Sequence, residues 1–106
     1  MRYTLILAVL LASNSFAAPA FEETMAEAKQ GDAHAQNSLG SMYANGNVTP
    51  VDDAESVKWY RKAANQGYAR AQNNLGLMYQ SGKGLPENYA EAVQWYRKAA
   101  EQGYAR

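Results

Sequence analysis

The side chains of this sequence that could carry out catalysis or bind a metal are few and widely spaced. His34 is the only histidine among the 106 residues, and there is no cysteine. A protein zinc site needs three or four ligands, so a lone histidine cannot form a histidine-based site by itself. The lack of cysteine excludes disulfides, thiolate metal sites and a cysteine nucleophile. We therefore expect neither a metal nor a cofactor.

The adjacent carboxylates Asp52 and Asp53 could serve as a general acid and a general base. They stand directly before a segment with helical periodicity, and they align with Asn88 and Tyr89 in a second copy of that segment, 36 residues later. Asp and Asn both cap helix N-termini by accepting a hydrogen bond from a backbone N–H. The alignment favours helix capping over catalysis, and no catalytic residue is predicted.

The remaining candidates concern anion binding. Gly82-Lys83-Gly84 is too short for a phosphate loop and lacks the Lys-Ser/Thr that follows such a loop. Arg61-Lys62 and Arg97-Lys98 each follow a Trp-Tyr pair, and a solvated face whose aliphatic stems cover the rings is favoured over an anion site. The sequence has 10 basic and 10 acidic residues. This balance argues against nucleic acid as a partner and against an anionic membrane surface.

Residues 1–17 have the layout of a cleavable export signal and are not expected to belong to the fold. Arg2 gives a positive start, residues 3–12 form an apolar run, and small residues follow. Cleavage after Ala17 is favoured, with cleavage after Ala20 as the alternative. The apolar run is far shorter than the roughly 20 residues that span a bilayer. We therefore predict an exported protein, periplasmic or secreted, with no integral membrane span after cleavage.

The rest of the chain is built from a 36-residue repeat, which places every candidate side chain named above. A shift of 36 residues superimposes residues 31–59 on 67–95 without a gap, and WYRKAANQGYAR at 59–70 returns as WYRKAAEQGYAR at 95–106. A period of this length indicates a stacked repeat architecture. We predict a half-repeat helix at 18–30, repeats at 31–66 and 67–102, and the start of a truncated repeat at 103–106.

Each repeat divides into two predicted helices, so the chain is predicted to be all-α. In the second copy, apolar residues at helical spacing predict helix A at about 69–81, and a Gly-Pro loop follows it. Helix B is predicted at about 88–102, with Asn88 as its N-cap, Glu91 in the capping-box position and Gly103 as its stop. Its predicted apolar stripe is Ala90, Val93, Tyr96 and Ala100.

Small and large side chains recur at fixed positions of the two copies. Glycine inside a helix costs about 1 kcal/mol relative to alanine, so the recurrence of Gly40 as Gly76 predicts the close approach of another helix backbone. Recurrent alanines leave room for the Tyr and Trp rings, which is a packing pattern and not a catalytic one. The predicted structural positions are Leu39, Gly40, Tyr43, Ala54, Trp59 and Ala64, their equivalents Leu75, Gly76, Tyr79, Ala90, Trp95 and Ala100, and the helix-ending Gly67 and Gly103.

The second copy contains L-G-x-M-Y, a G-x-G loop and A-x-x-W-Y-x-x-A-A-x-x-G. These motifs resemble the Sel-one-like repeat family, a relative of the tetratricopeptide repeats, and the resemblance covers almost all of residues 31–106. It implies a short right-handed α-solenoid of antiparallel helix pairs. It also implies protein binding, as an adaptor or scaffold, and some exported bacterial members take part in envelope or host-cell interactions.

The concave surface of a solenoid is lined mainly by the first helix of each pair, which implies that the exposed face of helix A binds the partner. Asn37 recurs as Asn73, and an Asn amide can bond both an N–H and a C=O of an extended peptide. The alternative, that these are ordinary solvated residues, stays open. The candidate partner-binding residues are His34, Asn37, Ser41, Arg70, Asn73, Leu77 and Gln80.

The leading hypothesis is a non-enzymatic interaction module of the cell envelope or secreted fraction. It would bind a protein or peptide through the concave helix A face or through an open C-terminal edge. One alternative is an enzyme, since cysteine-rich exported relatives have been linked to β-lactam binding or hydrolysis; this sequence lacks their cysteines and any Ser-x-x-Lys. Another is a truncated gene remnant, because the last helix B has no helix A after it and about three repeats are usually needed for stability. The open apolar stripe predicts marginal stability as a monomer, or end-to-end self-association.

Overall fold

The computed structural model of the protein describes residues 17–104, with side-chain environments from residue 20 onward. Five helices follow one another, and no strand occurs among these residues, so the predicted all-α class is confirmed. The helices are α1 (Ala17–Lys29), α2 (Ala33–Asn45), α3 (Asp53–Asn65), α4 (Ala69–Ser81) and α5 (Tyr89–Glu101). Helices α2 and α4 are the predicted helices A, whereas α1, α3 and α5 are of the helix B type. The predicted export signal, apart from Ala17, lies outside the described residues.

Helices α3 and α5 begin at the predicted N-caps. The Oδ1 atom of Asn88 accepts a hydrogen bond from the N–H of Glu91 at 3.0 Å, and Asp52 caps α3 in the same way. The N–H of Asn88 donates to the carbonyl of Tyr79 at 2.8 Å, and the N–H of Asp52 makes the equivalent bond. A capping box would instead direct this N–H to a glutamate side chain. The observed bond ties the start of each helix B to the end of the preceding helix A.

Glycines in the left-handed backbone region follow the helices at the predicted stops. Gly82 has φ 71° and donates its N–H to the carbonyl of Met78 at 2.8 Å, while Gly103 has φ 91°. A residue with a Cβ adopts this region only at an energetic cost. One further cap was missed by the sequence analysis: Asp32 accepts from the N–H of Ala35 at 2.8 Å and starts α2.

Each helix packs mainly against its neighbours in sequence, and the stack is elongated, with extents of 53 × 24 × 18 Å. Packing restricted to neighbouring elements is the defining property of a solenoid, so that prediction is confirmed. The first core cluster contains Ala28, Ala35, Leu39 and Trp59. The second contains Val57, Tyr60, Ala63, Ala64, Ala71, Leu75 and Met78.

The close approach predicted at Gly40 and Gly76 is present, but the predicted neighbour was wrong. A Cβ added to Gly40 would lie 2.6 Å from Cδ1 of Tyr60, and one added to Gly76 would lie 2.7 Å from Cε1 of Tyr96. A tyrosine ring of the following helix B therefore occupies the space that a methyl group would fill. The recurrent glycine is explained by side-chain packing and not by contact between two backbones.

The predicted apolar stripe of α5 is only partly covered, as the expectation of an open stripe implies. The buried residues of α5 are Ala92 and Ala99, whereas Ala90, Val93 and Ala100 are exposed. Val93 and Ala100 lie on the side of α5 that no described helix covers, whereas Tyr96 packs against Gly76 of α4. The equivalent Ala54 of α3 is exposed as well. Both Ala54 and Ala90 lie in the first helical turn, where alanine contributes helix propensity and no core contact.

Candidate functional site

The prediction that Asn37 and Asn73 lie on an exposed face is wrong, because each is only 5% exposed. The Oδ1 atom of Asn37 accepts a hydrogen bond from Nδ2 of Asn74 at 3.0 Å. This bond joins α2 to α4, the helices A of consecutive repeats. The recurrent asparagine therefore supports the stack from within and is not available to hydrogen-bond a peptide lying on the surface.

The other predicted partner-binding residues lie at or near the surface, some of them already engaged. His34, Arg70 and Gln80 are exposed, and Ser41 and Leu77 are half-buried. Two of these side chains already form hydrogen bonds with tyrosines of helices B. Tyr60 shares a hydrogen bond with Ser41 at 3.0 Å, and Tyr96 donates to Gln80 at 2.5 Å.

His34 and Arg70 occupy equivalent places in the first turns of α2 and α4, and the ring of His34 meets that of Tyr68 edge-on at 6.0 Å. Leu77 and Gln80 lie in the second half of α4. The structure thus distributes the predicted residues along the helices A and does not gather them into one cluster.

The lysines of the two basic pairs lie over tryptophan rings, as their interpretation as a solvated face predicts. The ammonium of Lys98 lies 4.9 Å from the ring centroid of Trp95, and Lys62 lies over Trp59 at 5.8 Å. Cations at such distances are attracted to the ring quadrupole. Arg61 reaches the next repeat, where it donates to Oη of Tyr79 at 3.0 Å.

A chain of glutamine hydrogen bonds, here called the glutamine ladder, connects the helix ends and was missed by the sequence analysis. In the first copy, Nε2 of Gln66 donates to the carbonyl of Gly31 at 2.9 Å and to Oε1 of Gln36 at 2.8 Å. Nε2 of Gln36 then donates to the carbonyl of Ala28 at 3.1 Å. Gln102 and Gln72 repeat the arrangement. The recurrence of these glutamines was visible in the sequence, but their partners belong to other helices.

The outward side of α5, together with Asn73 of α4, is called here the open edge. Val93 is 48% exposed, whereas its equivalent Val57 in α3 is 7% exposed because α4 covers it. Tyr89, at the start of α5, is 62% exposed. The Oδ1 atom of Asn73 is inaccessible to solvent and accepts no hydrogen bond from the described residues. The open edge thus combines exposed apolar surface with an unsatisfied polar atom.

Two tyrosines have perturbed acidity. Burial raises the pKa of Tyr43 above 10.0, and the negative charges of Glu55 and Asp52 raise it further. The hydrogen bond from the hydroxyl of Tyr89 to Glu87 also raises the pKa of that tyrosine. Both groups stay protonated at neutral pH, so neither alters the charge of the surface there.

Residues 17–104 contain no group of three side chains suited to hold a metal ion, and no pocket indents their surface. None of the described helices has the length and apolar character required to cross a membrane.

The stacked helix pairs, which pack mainly against their neighbours and share a repeated set of inter-helix hydrogen bonds, define a helical-repeat protein of the tetratricopeptide-like class. The model of the Sel1 repeat matches residues 33–68 and 69–104. The chain belongs to the Sel1 repeat family, as the sequence motifs indicated. Sel1 repeats are a protein–protein interaction repeat that usually binds proteins, and the family's members are generally non-enzymatic.

Several solved structures are similar to this chain. A protective antigen of uropathogenic Escherichia coli strains with an SLR fold is 46% identical at a TM-score of 0.75, and the match covers 78% of this chain and 18% of that one. A Sel1 repeat protein from Oxalobacter formigenes is 49% identical at a TM-score of 0.67, and the match covers 69% of this chain and 29% of that one. Cysteine-rich protein B of Helicobacter pylori is 25% identical at a TM-score of 0.75, and the match covers 78% of this chain and 62% of that one.

The match therefore spans less than two thirds of each of these longer proteins. No protein with a curated functional description matches the chain.

Proposed function

We propose that this protein is a non-enzymatic interaction module, exported to the bacterial envelope or secreted, that binds another protein. The observation that carries the proposal is the open edge, because a surface equivalent to the buried face of α3 is left exposed on α5. Exposed apolar surface next to a polar rim is typical of protein interaction sites. The two Sel1 repeats supply the family's usual activity, protein binding.

The concave face of α2 and α4 is the second surface in this proposal, with His34, Arg70 and Leu77 as its accessible contacts. Its predicted asparagines are buried, which leaves few hydrogen-bonding groups free to bind a peptide backbone there. The open edge offers more unsatisfied surface. We therefore assign the main partner contact to the open edge and a lesser one to the concave face.

An affinity capture from envelope extract tests the proposal with three forms of the purified protein. These are the unchanged protein, Val93→Lys on the open edge and Arg70→Ala on the concave face. Both substituted residues are exposed, so the helices should be retained, and circular dichroism checks this. We expect a partner that is lost with Val93→Lys and kept with Arg70→Ala. Absence of any partner above background would contradict an interaction module.

Export rests on the sequence of residues 1–17, and the mass of the mature protein from fractionated cells tests it. We expect a periplasmic or secreted chain that starts at Ala18, or at Phe21 if cleavage follows Ala20. A full-length protein in the cytoplasmic fraction would refute export. Turnover of a chromogenic β-lactam by the purified protein would refute the non-enzymatic assignment.

A further inference from the structure

The face of α3 that receives α4 is repeated on α5, and its apolar contacts can be compared directly. Val57 and Ala64 of α3 are 7% and 2% exposed and pack with the apolar residues of α4. Their equivalents Val93 and Ala100 in α5 are exposed. The apolar residues of α4 that fill this face are Ala71, Leu75 and Met78.

A polar contact of the same interface also has an unfilled counterpart. The guanidinium of Arg61 donates to Oη of Tyr79 in α4 at 3.0 Å and lies 5.7 Å from the ring centroid. Arg97, its equivalent in α5, is exposed and makes no such bond with the described residues. The open edge therefore presents a cation where a helix of the α4 type would place a phenol.

The third unfilled contact is the asparagine bond between helices A. Asn37 accepts from Nδ2 of Asn74, whereas Oδ1 of Asn73 has no donor among the described residues although the side chain is 95% buried. A buried acceptor without a donor destabilises the folded state.

Inside the stack, α4 supplies all three contacts. They therefore define the side chains that a helix bound to the open edge must carry. Resting on the proposed role as an interaction module, we propose that the open edge binds an amphipathic α-helix of another polypeptide with the side-chain pattern of α4. That pattern starts with a small residue, Ala71 in α4. Counted from it, an amide donor follows at three positions (Asn74), apolar residues at four and seven positions (Leu75 and Met78), and a tyrosine at eight positions (Tyr79).

A second copy of this chain, stacked end to end, does not supply that helix. The helix at the other end of the described stack is α1, AAPAFEETMAEAK, which contains no Asn, Gln or Tyr. Helix α4, which carries the pattern, is already packed between its neighbours, and α2 has Ser38 in place of the amide donor. End-to-end stacking of two copies would therefore leave the asparagine and tyrosine contacts of the open edge unfilled.

A peptide of residues 67–82, GYARAQNNLGLMYQSG, is the probe for this surface, with fluorescence anisotropy as the measurement. We expect saturable binding that Val93→Lys in the protein abolishes. In the peptide, Asn74→Leu should weaken binding by about 3- to 10-fold, the effect of one net hydrogen bond. Gly76→Ala is the matched control, because Gly76 of α4 faces α5 and not α3. It should leave binding unchanged or strengthen it.

A coupling test avoids any dependence on how well a variant folds. Tyr79→Phe in the peptide should weaken binding to the unchanged protein and have no effect on binding to the Arg97→Ala protein, since the two side chains form one contact. Equal effects of Tyr79→Phe on both proteins would overturn the assignment of Arg97 to this contact and with it the proposed register.

A chain extended with AQNNLGLMYQSG, residues 71–82, directly after Arg106 tests the same contact without the entropic cost of peptide binding. Residues 103–106 repeat residues 67–70, so the extension has the register of α4. We expect a higher unfolding temperature, and a smaller rise when the extension carries leucine in place of the residue equivalent to Asn74.

Failure of the peptide to bind, together with no gain in stability of the extended chain, would overturn the proposed helix. Self-association of the unchanged protein that Val93→Lys abolishes would overturn it in favour of a second copy. In either case, a captured envelope partner would leave the interaction-module proposal standing.

Discussion

Replacing Gly40 by alanine tests whether the ring of Tyr60 sets the distance between α2 and α3. A Cβ at position 40 would lie 2.6 Å from Cδ1 and 2.7 Å from Cε1 of that ring, far inside van der Waals contact. Tyr60 is 5% exposed and shares a hydrogen bond with Ser41 at 3.0 Å. The ring cannot withdraw without losing this bond and its packing against α4.

The expected size of the effect follows from three opposing contributions. Overpacking a core costs about 1–3 kcal/mol, and the loss of one hydrogen bond adds about 1 kcal/mol. Alanine in place of glycine within a helix returns about 1 kcal/mol, and Gly40 has no positive φ that would oppose it. We therefore expect Gly40→Ala to lower the free energy of unfolding by about 1–3 kcal/mol.

Gly76→Ala is the matched comparison, because the ring next to Gly76 has more freedom. Tyr96 is only half-buried and lies on α5, where no described helix covers the outer side. The ring can turn toward solvent, so the gain in helix propensity should offset most of the strain. We expect a change in the free energy of unfolding within about 1 kcal/mol of zero.

Urea unfolding followed by far-ultraviolet circular dichroism measures both variants and a double-mutant cycle with Tyr60→Leu. Once the ring is removed, Gly40→Ala should be neutral or stabilise the protein by up to about 1 kcal/mol. Equal losses at Gly40 and Gly76 would refute the argument from the ring's freedom. An unchanged loss in the Tyr60→Leu background would refute Tyr60 as its cause.

The other predictions concern the glutamine ladder, a helix cap and an alkaline titration. Gln36→Leu should lower the free energy of unfolding by about 1–3 kcal/mol, since it leaves the buried carbonyl of Ala28 without its donor and removes one acceptor of Gln66; urea unfolding measures the loss, and an unchanged value would mean that water replaces the ladder. Asp52→Ala should lose about 1 kcal/mol with the α3 cap, whereas Asp52→Asn keeps an acceptor and should be nearly neutral. Burial and then Glu55 raise the pKa of Tyr43 in the folded protein, so its stabilising contribution is complete below pH 10.0 and is lost as the pH rises through the folded value. Tyr43→Phe should therefore reduce the loss of stability at alkaline pH, measured by urea unfolding across the pH range, and an identical alkaline profile would contradict this.

The helices and their caps could be predicted because their causes are local in sequence. Asn88 and Gly103 act on backbone groups within a few positions of themselves, and the 36-residue recurrence showed each signal twice. The solenoid class followed from the same recurrence, because a repeat of two helices buries its apolar residues only against its neighbours.

The candidate site was harder to predict because exposure depends on which helix covers which face. Asn37 was expected on the surface, but the helix A of the next repeat lies over it and bonds to it through Asn74. The same reasoning explains Gly40, whose neighbour is a ring from α3 and not a backbone. A single helical period gives the amphipathic face of one helix, but it does not say how many neighbours that helix has.

The predominance of contacts between neighbouring helices has a consequence for how the chain folds. Contacts between residues that are close in sequence cost little loop-closure entropy. Proteins with such contacts fold rapidly. Folding can start at any adjacent pair of helices and spread in both directions. The glutamine ladder and the buried face of α3 make α2 to α4 the most enclosed part of the chain. Amide hydrogens there should exchange last, whereas α1 and α5, each covered by only one of the described helices, should open first.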